Sequence, residues 1–137
     1  LRDYVFVPLS NVKLGRRHHR LVQHFTAMLL TMALCGLFVE QVQSRCAHHG
    51  VILSGPSAVE HRGSHVALHC PNGYAVMQAL IAQGVIGDFR APDLIRFGFT
   101  PLYTRYADVW DAVEALAGIL DRRLWDQPRF RAKKAVT

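Results

Sequence analysis

Residues 62–106, RGSHVALHCPNGYAVMQALIAQGVIGDFRAPDLIRFGFTPLYTRY, constrain the fold most tightly, because strand-like and helix-like patterns alternate there between clear breakers. Residues 65–70 alternate, with Val66 and Leu68 on one side, as a half-buried strand requires. The turn Pro71-Asn72-Gly73 then leads into a helical spacing of Tyr74, Met77, Leu80 and Ile81 that stops at Gly84. Residues 85–90 and 94–99 read as two more strands around the turn Ala91-Pro92-Asp93, and Pro101 ends the sheet. In the last of these strands Leu94, Arg96 and Gly98 share one face, while Ile95, Phe97 and Phe99 share the other, which is the core side. Arg96 therefore projects away from the core, beside a residue with no side chain. An arginine so placed needs an anion. The candidates are Asp88, Asp93, solvent, or the carboxylate of an amino-acid ligand, which a planar guanidinium can grip with two parallel hydrogen bonds.

The flanking sequence supplies the layers for such a sheet. From Arg16 onward Leu21, Val22, Phe25, Leu29, Met32, Leu34, Phe38, Val42 and Cys46 recur at steps consistent with one long helix. It should end at His48-His49-Gly50, with imidazoles at the negative end of the helix dipole and Gly50 as a left-handed cap. Residues 51–53 read as a strand and residues 54–63 as a loop. A final amphipathic helix spans roughly residues 106–123, with Asp108 and Asp111 in its first turn. Residues 1–15 read as a short extended piece broken by Pro8, with a turn at Ser10-Asn11. The expected fold is an α/β chain of the α+β kind, a small, mainly antiparallel sheet with helices on one face. Three segments follow: an atypical residues 1–32, a folded domain over residues 33–123, and a basic tail over residues 124–137.

Charge and cysteines narrow the function classes. The formal net charge is +6, but the ends carry the excess and residues 33–121 are mildly acidic. Basic ends of that kind are solvated tails rather than a nucleic-acid surface, and no aromatics interleave with them for base stacking. Cys35 and Cys46 on one helix would lie roughly 16 Å apart, beyond disulfide reach, so with Cys70 they point to a reducing cytoplasm. The uncharged run over residues 25–39 follows RRHHR and raises the question of a membrane anchor or signal peptide. It is shorter than the ~20 apolar residues of a spanning helix, which favours a core helix. No membrane role is expected.

The segment GVIGDFRAPDLIRFGFTPLYTRYADVWDAV, residues 84–113, closely resembles the C-terminal part of the kynureninases. The resemblance is strong from Arg62 to about Leu120, persists more weakly from Ala33 through ALCGLFVEQVQSRCAHHGV and has no counterpart in residues 1–32. It implies the small C-terminal domain of a homodimeric enzyme of the aspartate-aminotransferase fold type. Such an enzyme uses pyridoxal phosphate to hydrolyse L-kynurenine to anthranilate and L-alanine in tryptophan catabolism. In LIRFGFTPLYT, the resemblance implies that Arg96 binds the substrate's α-carboxylate. The lysine, phosphate cradle and ring contacts for the cofactor belong to a large domain that this sequence lacks. Lys13, Lys133 and Lys134 have none of the required context. No catalytic or cofactor-binding residue is therefore assigned, and the chain, which starts at Leu1, reads as an inactive fragment that binds no cofactor alone.

Other chemistries find little support. His65 and His69 would be about 13 Å apart on a strand, too far to share a metal, and His48-His49 serve the helix end. No metal site is expected. Ser54, Ser57 and Ser64 lack a nucleophile elbow, and no glycine-rich loop has a phosphate-binding pattern. The alternatives are a free-standing domain that binds an anionic metabolite or pairs with another subunit and, further off, a small membrane-associated protein.

Overall fold

The computed structural model describes residues 16–58 and 61–132. Helix α1 runs from Arg16 to Cys46, and a 3-10 turn over Ala47–His49 follows it. Leu34, Cys35, Phe38, Val39, Val42 and Cys46 form its buried stripe, at the three- and four-residue spacing the sequence shows. Gly50 closes the end at φ 77°, its N–H donating to the Ala47 carbonyl at 2.9 Å, as the expected left-handed cap requires.

The apolar run expected to form a core helix is divided. Its later residues are core, but Phe25, Met28, Leu29 and Leu30 are exposed, as is Leu21 one turn earlier. The continuous stretch Arg20–His49 is long and apolar enough to cross a membrane by length and composition. The shortness of the uncharged run therefore does not by itself exclude a span, which corrects the length argument. The firmer observation is that the second half of α1 packs into this domain's own core.

Strands β1 (Ile52–Ser54), β2 (His65–His69), β3 (Asp88–Arg90) and β4 (Leu94–Gly98) form one antiparallel sheet in the order β1-β2-β4-β3. Helices α1 and α2 (Gly73–Ala82) pack on the sheet and α3 (Tyr106–Asp121) packs on both of them, giving the expected α+β architecture. Val66, Leu68, Ile95 and Phe97 are the sheet's contribution to the core, and the Phe38 ring lies 4.9 Å from that of Phe97 and 5.1 Å from that of Phe99. Pairs of that geometry add to the area buried.

Three departures have local causes. Residues 85–87 do not join the expected strand. The Val85 N–H donates instead to the Leu80 carbonyl at 3.0 Å, part of the closure that turns α2 through Gly84 at φ 86°. Asp108 accepts the Arg105 backbone N–H at 2.7 Å in the first turn of α3, whereas Asp111 lies beyond it. The stretch after α3, expected to be a solvated basic tail, is partly packed. A short helix α4 (Pro128–Arg131) buries Phe130 against the core, with Leu124 and Trp125 beside it. The extended piece expected over residues 1–15, including its Ser10-Asn11 turn, lies outside the described residues.

Candidate substrate-binding site

The open face of the sheet is organised by register. Cross-strand pairing sets Ser54 against Ala67, Ala67 against Arg96 and Arg96 against Asp88, so these four side chains form one row. Ile52, His69, Leu94 and Arg90 form the row on one side of it, and His65 faces Gly98 on the other side. Arg96 thus stands on the outer face as the alternation predicts, with Ala67 beside it and the bare backbone of Gly98 two residues along its own strand. A Cβ added at Gly98 would meet nothing within 4 Å, so there is open space above the strand next to the guanidinium.

The anion at Arg96 is Asp88. Arg96 Nε donates to Asp88 Oδ1 at 3.3 Å and a terminal nitrogen donates to Oδ2, giving a two-pronged pair. Arg90 also donates to Asp88 Oδ2, at 3.3 Å, so one carboxylate lies between two guanidinium groups. The face keeps an uncompensated positive charge there. The hydrogen bond from Arg96 is the main influence holding the Asp88 carboxyl below the usual carboxylate range, and the same bond raises the Arg96 pKa. Arg96 remains 34% exposed, within reach of a ligand. Asp93, the other acid considered from the sequence, bonds His69 instead, at 3.0 Å.

A shallow concavity adjoins this row, lined in part by Ser54, Pro56, His65 and Ala67. Arg62 closes the loop beside it, donating from Nε to the Pro56 carbonyl at 2.9 Å and from a terminal nitrogen to that of Ser57. No thiol faces it among the described residues: Cys35, Cys46 and Cys70 are buried free thiols. Burial pushes the Cys46 thiol up to about 11 and the Cys70 thiol up to about 12. The three lysines lie outside the described residues, which hold no other amine side chain to form an imine with an aldehyde cofactor. The described face does not fit pyridoxal phosphate, and no step through that group follows from it.

Sequence reasoning found Arg96 and its face but missed one constellation entirely. His49 Nε2 lies 2.6 Å from Asp121 Oδ1 and His48 Nε2 lies 3.6 Å from the same oxygen. No local spacing could reveal it, since these groups come from the ends of two different helices.

An open sheet face bearing the guanidinium groups of Arg96 and Arg90 beside small neighbours is a surface chemically able to take a carboxylate, and among the described residues it is not a complete catalytic centre. The chain belongs to the kynureninase C-terminal domain family, whose model matches residues 30–116. It is 53% identical over 107 residues to a kynureninase of Pseudomonas fluorescens, and 55% identical over the same length to those of Burkholderia mallei strain SAVP1 and Burkholderia pseudomallei strain K96243. Each match covers 78% of this chain and 26% of the relative, so the chain spans about a quarter of the length of these enzymes.

Proposed function

We propose that this chain is the small domain of a pyridoxal-phosphate-dependent kynureninase, and that Arg96 anchors the α-carboxylate of L-kynurenine. One observation carries the reading: Arg96 already holds a carboxylate two-pronged, on the only sheet face not covered by the described helices. An incoming carboxylate would share or replace Asp88 in that fork. Arg90 lies within hydrogen-bond reach of Asp88, at 3.3 Å, and would remain its partner. Ala67 and Gly98 leave room, and the guanidinium fixes the orientation of the bound amino acid. Pyridoxal phosphate, held by residues other than the described ones, would supply the electron sink. Without it, the chain alone turns over no kynurenine. The assembled enzyme is taken to be a homodimer of the reducing cytoplasm, in keeping with three free thiols.

The test uses an intact kynureninase carrying this domain. Arg96→Lys keeps the charge but loses the fork, and should lower kcat/KM for kynurenine about tenfold or more, mainly through KM, with the cofactor absorption unchanged. Wild-type kcat and KM in that variant would make Arg96 a structural partner of Asp88 and nothing more.

A further inference from the structure

At the far end of α1, away from the Arg96 face, two consecutive imidazoles meet a carboxylate. We propose that His48, His49 and Asp121 form a binding site for a divalent transition cation of the zinc class.

The three groups offer ligand atoms that all lie within 4.8 Å of one another. Both histidine Nε2 atoms approach one oxygen, Asp121 Oδ1, at 2.6 Å and 3.6 Å. A tetrahedral ion with bonds of about 2.0–2.2 Å wants its ligand atoms roughly 3.4 Å apart. These two separations bracket that spacing, so binding needs the 2.6 Å hydrogen bond to open and the His48 ring to swing inward. The two rings already sit side by side, with centroids 4.0 Å apart.

The backbone that presents these groups is fixed. His48 and His49 lie in the 3-10 turn locked by Gly50, and Asp121 is the last residue of α3. Arg45 joins the two helices by pairing with Glu114. The carboxylate is also available, since an aspartate is ionised at neutral pH. Neighbouring arginines direct their donors elsewhere, Arg122 to the Gly118 carbonyl at 3.2 Å and Arg123 to Asp126 at 3.4 Å. Imidazole and carboxylate ligands without a thiolate suit zinc, cobalt or nickel better than calcium or copper(I). His48 and Asp121 are exposed, so a fourth position faces water and the site is an open one.

Zinc chloride titrated into the tag-free full chain at neutral pH is the probe. The expected result is saturable binding and a rise in melting temperature with zinc; Asp121→Asn and His49→Gln should each weaken the affinity at least about tenfold and make the rise smaller. Substituting His18, His19 and His24 together by glutamine should leave this site intact. Cobalt should bind without a thiolate charge-transfer band, since Cys46 stays out of the coordination sphere. If Asp121→Asn loses its helical circular dichroism, His48→Gln replaces it, because His48 does not make the 2.6 Å contact. Unchanged affinity in the folded variants, or no saturation by about 1 mM zinc, overturns the site.

Discussion

Gly87 is where a single methyl group should do the most damage to the Arg96 face. A Cβ at that position would sit 2.6 Å from Met77 Cε and 2.7 Å from the Arg96 carbonyl oxygen. Carbon atoms rest about 3.5–4.0 Å apart, so the overlap with Met77 is close to 1 Å. Met77 is almost wholly buried and cannot swing out to solvent, and the Arg96 oxygen is backbone. Something in the β3–β4 pair must give, and overpacking of this kind costs about 1–3 kcal/mol. For a chain of this length that is a fall of roughly 3–12 °C in melting temperature for Gly87→Ala. Gly36, on α1, provides the opposite control: a Cβ there meets nothing within 4 Å. Gly36→Ala should raise the melting temperature, since alanine favours a helix over glycine by up to about 1 kcal/mol. Calorimetry or circular dichroism on the pair gives the answer. A Gly87→Ala chain that melts with or above its parent would refute the packing described around Met77 and Arg96.

Two further outcomes follow from the charges and thiols. Asp88 and Asp108 have folded-state pKa values lowered chiefly by Arg96 and Arg105, so their contribution is present above the unfolded value near 3.9 and is lost as pH falls through the folded values. The melting temperature should therefore decline below about pH 4, and less steeply in Asp88→Asn; identical acid profiles would show that the pair contributes nothing. Cys46 and Cys70 should resist iodoacetamide at about pH 8 until urea unfolds the chain, and rapid labelling of the folded protein would contradict their burial.

What the sequence revealed depended on how local the signal was. The 94–99 alternation put Arg96 on the outer face, because side-chain direction on a strand is decided residue by residue. Gly50 and the 71–73 turn were legible for the same reason. The partner of Arg96 was not decided locally, since Asp93 is the nearer acid in sequence; register chose Asp88 by setting it directly across the ladder. Phe130 was hidden among basic residues, where a single aromatic has no periodicity to announce a helix. The exposed Leu21 and Phe25 follow the same apolar spacing as the buried Phe38, and only tertiary packing separates them.

The sheet ends on both sides in strands of three residues, β1 and β3. A visiting strand would find room for very few ladder bonds on either rim. On one side it would meet Gly55-Pro56 directly after β1, and on the other the ionised Asp88 and Arg90 of β3. For a chain that is half hydrophobic, such short and charged borders guard against templated stacking into fibres, a protection that lengthening either strand with apolar residues would remove.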